Sequence, residues 1–293
     1  MREGRVTVNR ISIHFLTWHP PENATAPPLI LLHGFTDHAW SFLPFVESYF
    51  EKVAAAEMDP RDVVAVNLRG HGDSGWVQGG YYHFPDYLLD ILGVADAIGA
   101  ERFSLLGHSM GGMAACLAAG AFPERLEKLI LIEGVGPQAM QPGDAPQKFR
   151  QWAEDVKRFD GRRHGSVESL DAAARSLRIR WPRLSEAHAR FLAETGTRKQ
   201  PDGALAWKSD PLHRTQSPQP FYLSQSRAFW ERIACPVLFI TGGESEFRHF
   251  DVSDRLRAFK DLRVEEIAGA GHMVHHEQPG QLAQAVAVFI RNR

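Results

Sequence analysis

A chain of 293 residues, 44% hydrophobic and 23% charged, can bury a sizeable core and exceeds the commonest single-domain length, so one enlarged domain or a core carrying an insertion is expected. The formal net charge of −2 supplies no general field for nucleic acid or an anionic membrane, which leaves a small molecule as the expected partner. Two cysteines, Cys116 and Cys235, are too few and too far apart for a disulfide framework or a metal-binding pair, and both are expected as buried, reduced thiols.

Met1 to Pro20 lacks the unbroken apolar stretch of a signal peptide, because Asn9, Ser12 and His14 interrupt it. No segment has the length needed to cross a bilayer, so a soluble, cytoplasmic protein without a membrane partner is expected. Arg5 to Val8 and Ile11 to Trp18 alternate apolar and polar side chains, which predicts a half-buried antiparallel pair. Pro20, Pro21, Pro27 and Pro28 bracket a loop, and Leu29 to Leu32 is a short apolar run that suits a central buried strand. Strand and helix signals then alternate. Val63 to Val66 reads as a strand, Asp86 to Ile98 as an amphipathic helix and Phe103 to Leu106 as a strand. Met110 to Ala121 reads as a small-residue helix stopped by Pro123, followed by a strand at Leu129 to Ile132. The pattern resumes with a strand at Val237 to Ile240, a helix near Val252 to Phe259, a strand at Leu262 to Ile267 and a helix at Gln281 to Ile290. Such alternation predicts a mostly parallel sheet covered on both faces.

Between these halves, residues 137–232 break the pattern. The stretch carries Arg158, Arg162 and Arg163, the tryptophans Trp152, Trp181, Trp207 and Trp230, and helix-like segments without a buried-strand run. It is too long for a plain loop and predicts a helical lid inserted into a core made of 1–136 and 233–293. No internal repeat or low-complexity tract occurs.

The chemistry starts at Gly107-His108-Ser109-Met110-Gly111, a G-x-S-x-G run between a predicted strand and a predicted helix. A sharp turn there strains the serine backbone, and the flanking glycines let neighbouring backbone approach closely. The helix N-terminus then points unpaired N–H groups at charge developing beside Ser109. An oxyanion needs two donors fixed in advance. The N–H of Met110 is one candidate, and that of Phe35, in His33-Gly34-Phe35 after an early strand, is the other. Serine also needs a base. Among 14 histidines, His272 in Gly269-Ala270-Gly271-His272 sits on a loop after the last strand, with His275 and His276 as close rivals.

Together these residues resemble the α/β-hydrolase superfamily, in the branch with a helical cap. The matching stretches are His33-Gly34-Phe35, Leu68 through Ser74, Gly107 through Gly112, Pro236 through Gly242 and Gly269 through His272, in the family's order from about residue 29 to the C-terminus. The resemblance implies an α/β-hydrolase fold, Ser109 as nucleophile and His272 as general base. It implies a structural role for Arg69-Gly70-His71-Gly72-Asp73-Ser74, where Asn67 stands in place of a frequent Asp. Trp40 and Phe42, on the first helix, are expected to pack rather than touch substrate.

A carboxylate must hold the imidazole in the right tautomer. The family pattern Gly-Gly-x-Ser-acid, set against Gly242-Gly243-Glu244-Ser245-Glu246, places the acid at Glu246, with Glu in a position where Asp is usual. Some members place the acid after the strand matching Leu129 to Ile132, which makes Glu133 the alternative; Glu244 is the remaining candidate.

The expected activity is a serine hydrolase acting on a carboxylic ester or similar acyl compound, a chemistry that needs neither metal nor organic cofactor. Carbon–carbon bond hydrolases, lactonases, haloperoxidase-like enzymes and lyases share the triad, and a non-catalytic binding protein shares the scaffold. Ser109 argues against the epoxide hydrolases and haloalkane dehalogenases, which use Asp. The lack of His-x-His and His-Glu-x-x-His spacing argues against a zinc hydrolase. Trp181, Trp207 and Trp230 are expected to line an apolar pocket, with Arg214 or Lys208 placed to receive a carboxylate.

Overall fold

The computed structural model describes residues 1–20, 24–55, 60–159, 166–201, 203–215 and 217–291; Pro21, Arg162 and Arg163 lie outside them. The strands in chain order are β1 (Arg2–Val8), β2 (Ile11–Trp18), β3 (Leu29–Leu32), β4 (Val63–Val66), β5 (Phe103–His108), β6 (Leu126–Ile132), β7 (Ser166–Val167), β8 (Thr197–Lys199), β9 (Leu205–Trp207), β10 (Val237–Gly242) and β11 (Leu262–Ile267). Eight of them form one sheet in the order β1-β2-β4-β3-β5-β6-β10-β11. The hairpin β1–β2 and its junction with β4 are antiparallel, and every pairing from β4 across to β11 is parallel.

The central strands β3 and β4 are apolar throughout because both faces are covered. In β3, Ile30 and Leu32 join one core cluster while Leu29 and Leu31 join the other, as successive side chains point to opposite faces. The first cluster is closed by α2 (Asp86–Ala97) and α3 (Met110–Ala121), through Tyr87, Ile91, Val94 and the alanines of α3. The second is closed by α1 (Leu43–Ala55) and the C-terminal helix Pro279–Arg291, through Phe45, Tyr49, Leu282 and Val286. Trp40 and Phe42 stand in a 3₁₀ turn (Ala39–Phe42) just before α1, and Phe42 is fully buried, so packing is indeed its job. Cys116 and Cys235 are free and buried, and burial pushes both thiols up, Cys235 to about 11.

Between β6 and β10 the chain makes α4 (Ala145–Arg158), β7, α5 (Leu170–Arg180), α6 (Glu186–Gly196), β8, β9 and α7 (Leu223–Trp230). The insertion is not purely helical, as the sequence suggested. Strands β7, β9 and β8 pair antiparallel in a second, three-stranded sheet, too short to leave a period in the sequence. Ala173, Leu184, Ala189 and Leu192 give this segment a small core of its own, whereas Trp230 of α7 packs into the main core. After β10 come α8 (Ser253–Leu256), shorter than the helix expected there, then β11, α9 (Val274–Glu277) and α10 (Pro279–Arg291). No described helix is long and apolar enough to cross a membrane.

Candidate active site

Ser109 stands between β5 and α3 with φ 50° and ψ −114°, a left-handed backbone conformation strained for a residue with a Cβ. Its glycine neighbours are dictated by contact. A Cβ on Gly107 would overlap the carbonyl of Gly111, and one on Gly111 would overlap the carbonyl of Leu32 at the end of β3. The Ser109 N–H donates to the Ile132 carbonyl of β6 at 2.8 Å, which pins the turn over the sheet. The loop after β3 passes close by: a Cβ on Gly34 would lie 2.6 Å from His108 Nδ1 and 3.5 Å from Ser109 Cβ. Among the described residues, the N–H groups of Met110 and Phe35 find no protein acceptor, as donors reserved for an incoming oxyanion require. The Ser109 hydroxyl likewise bonds to no described residue.

His272 is held from two sides. Its backbone carbonyl accepts from His108 Nε2–H at 2.9 Å, which ties the histidine loop to the residue beside the nucleophile. Its Nδ1–H donates to Glu133 Oε2 at 2.6 Å, the tautomer that in a neutral ring leaves Nε2 without a proton. Glu133 follows β6, is buried at its side chain (6% exposed), and has φ 48°. Its Oε1 accepts from the Gly242 N–H at 2.9 Å and its Oε2 from the Ser245 hydroxyl at 2.8 Å.

The His272 partner is thus Glu133, the alternative acid of the sequence reading, and not Glu246. Glu246 is exposed in the 3₁₀ turn Glu246–His249 and makes no bond to His272. Ser245 caps that turn, accepting the Phe247 N–H at 3.1 Å, so its hydroxyl points inward to Glu133 while Glu246 begins the turn on the solvent side. Glu244 pairs with Arg183 from the inserted segment.

Histidines crowd the surroundings. His275 and His276, the rivals of His272, both turn Nε2 towards Asp37 Oδ2, at 3.1 and 3.2 Å. Burial raises the Asp37 pKa, but His276 and the hydrogen bonds from both imidazoles overcome that and hold it well below the ordinary carboxylate range. On the other flank His71 stacks on His213 with ring centroids 4.3 Å apart and meets a tilted His33 ring at 5.0 Å, with Phe35 edge-on to His71. His33 Nε2 accepts from the Leu68 N–H at 3.1 Å and its Nδ1–H donates to the Gly34 carbonyl at 2.7 Å, an arrangement open only to a neutral ring. Burial accordingly pushes His33 down to about 4 and His213 to about 3, and it holds His71 well below the usual value.

The three tryptophans do not line one pocket, contrary to expectation. Trp181 stacks on His276, and with Trp207 it borders a cavity of about 20 Å³ beside Asp37. Trp230 stacks on Phe259 in the core and lines a separate, mostly apolar cavity of about 480 Å³ with Met113, Leu117, Phe221 and Phe229. Gly134, next to Glu133, borders this larger space. Lys208 is already paired with Asp73 at 2.9 Å.

Comparison with known proteins gives the following. Residues 29–285 match the model of the alpha/beta hydrolase family. A serine hydrolase-like protein of Danio rerio is 25% identical over 276 residues, covering 90% of this chain and 81% of its own. Esterase YbfF of Escherichia coli (strain K12) is 25% identical over 270 residues, covering 90% and 93%. The crystal structure of a hypothetical protein of Pseudomonas aeruginosa PAO1 superposes with a TM-score of 0.83 at 29% identity, covering 99% of this chain and 98% of the other.

Proposed function

The chain belongs to the alpha/beta hydrolase family, and from that premise we propose that it is a serine hydrolase cleaving a carboxylic ester or related acyl bond of a small, largely apolar substrate through an acyl-enzyme on Ser109. The observation that carries this reading is the part-buried Glu133–His272 hydrogen bond of 2.6 Å, on a loop tied to the residue beside a strained serine. Ser109 Oγ attacks the substrate carbonyl while His272 Nε2 takes its proton. Glu133 keeps the Nδ1 proton in place and stabilises the imidazolium. The tetrahedral oxyanion lies between the N–H groups of Phe35 and Met110, and His272 returns its proton to the departing alkoxide. Water, deprotonated by His272, then releases the acyl group. The relative named an esterase supports the ester reading. Residues 137–232 act in this scheme as a cap over the site.

The test is labelling by a fluorophosphonate probe, alongside turnover of p-nitrophenyl esters of increasing acyl length, in the parent, Ser109→Ala and His272→Ala. Labelling mapped to Ser109 and lost in both variants, together with ester turnover, is the expected outcome. A folded parent that never labels overturns the assignment of Ser109, and labelling without turnover of any ester moves the reaction to a carbon–carbon or lyase chemistry.

A further inference from the structure

Beyond the Ser109–His272–Glu133 set, the described residues gather a second group of ligating side chains: Asp37, His275 and His276. One comes from the loop after β3, two residues past Phe35, and the other two from the first turn of α9, just past His272. All three are buried, and their donor atoms lie within 4.8 Å of one another. The trio brings both rings onto one carboxylate oxygen, Asp37 Oδ2, at 3.1 and 3.2 Å.

Its supports hold it there. Asp37 Oδ1 accepts the His38 N–H at 2.9 Å, which fixes the carboxylate and leaves Oδ2 facing the rings. His275 is clamped between Phe42 and His108, with centroids 4.9 and 4.6 Å away. His276 Nδ1 meets His188 Nε2 of α6 at 2.8 Å, the outer partner that a ligating imidazole uses to fix its tautomer. Among the described residues no lysine or arginine pairs with Asp37; its ion-pair partners are the two histidines.

The geometry points to a binding site for one divalent transition-metal ion of the Zn²⁺ class, held by Asp37 Oδ2 and the Nε2 atoms of His275 and His276. Two imidazoles and one carboxylate suit Zn²⁺ and its neighbours and do not suit Ca²⁺ or Mg²⁺, which favour oxygen ligands. On binding, each imidazole ligates through Nε2 with its proton on Nδ1, where that of His276 faces His188 Nε2 at 2.8 Å. The ion ties the loop carrying Phe35 to the loop carrying His272, so this is a structural or regulatory site distinct from the serine chemistry.

The test is calorimetric titration of Zn²⁺ into the chelator-treated full chain, with Asp37→Asn and His276→Gln beside it and circular dichroism to establish that each is folded. Expected is one ion per chain, bound at micromolar concentration or tighter, with affinity at least tenfold weaker in either variant. No binding up to millimolar Zn²⁺ overturns the site and leaves a hydrogen-bonded trio. Binding undiminished in both folded variants also overturns it, by placing the ion on other histidines. Co²⁺ substitution of the parent reads the site without any variant: an intense visible spectrum of a tetrahedral ion supports it, and the weak spectrum of octahedral Co²⁺ refutes it.

Discussion

Glu133 occupies a left-handed backbone conformation (φ 48°) that costs a residue with a Cβ on the order of 1–3 kcal/mol. The strain is offset where the side chain arrives, at the Gly242 N–H, the Ser245 hydroxyl and the His272 ring. Such convergence on one buried carboxylate is what an orienting acid needs, and it separates Glu133 from the exposed Glu246. Glu133→Gln is expected to lower kcat for a p-nitrophenyl ester by about 10³–10⁴-fold with the fold intact, through loss of the correct imidazole tautomer. Glu246→Gln should leave kcat within about twofold, as a surface change away from the site; the reverse ranking in the same assay would return the acid to Glu246. Ser109 stood out as a candidate because its signal is local, a glycine-flanked serine between strand and helix, whereas only the family resemblance set His272 apart from His275 and His276. Glu133 lies 139 residues from its partner, and nothing local distinguishes it from other carboxylates at strand ends. Asp37, His275 and His276 were hidden for the same reason, since their meeting spans 238 residues.

Helix α3 was readable as a helix from its small residues, and the structure gives their purpose. Ala114, Ala115, Ala118 and Ala119 are fully buried, so the helix lies close on the sheet and holds Ser109 rigidly at its start. At its far end a Cβ on Gly120 would lie 2.5 Å from the Phe229 carbonyl of α7. Gly120→Val is therefore expected to push α7 away and to destabilise the protein by about 1–3 kcal/mol, as overpacking does. A urea midpoint equal to the parent's would show that α7 yields freely. Strands β3 and β4 were legible to their ends because apolar runs bounded by turn residues mark buried strands. Strands β7 to β9 were not. Two or three residues carry no period, and their pairing follows from how α5 and α6 pack.

The whole molecule carries an unusual load of buried neutral imidazole. His33 at about 4, His213 at about 3 and His71 well below its usual value stay neutral in the fold, whereas the unfolded chain protonates them near pH 6.5. Between those limits the unfolded state binds more protons, so stability rises with pH: it is full above about pH 7 and is lost as pH falls towards 4. Each such histidine contributes a limiting slope of about 1.4 kcal/mol per pH unit. Urea midpoints at pH 7.5, 6.0 and 5.0 should therefore decline steeply, and His213→Gln, if folded, should flatten the decline by about one proton. A midpoint constant over this range would mean that these rings are not held neutral.

The insertion between β6 and β10 also governs how the protein comes to be active. These two strands are neighbours in the sheet, yet the whole inserted segment separates them along the chain. Closing so long a loop is entropically slow, and contacts of high sequence separation form late. The hairpin and the strands up to β6 can assemble without it. The Glu133–His272 bond cannot, because His272 arrives only after β10 and β11 have docked. On refolding from denaturant, far-UV ellipticity should recover before Ser109 reacts with a fluorophosphonate, and a nascent chain still short of β11 should hold a bent but unreactive serine. Simultaneous recovery of the two signals would show that the sheet closes in one step.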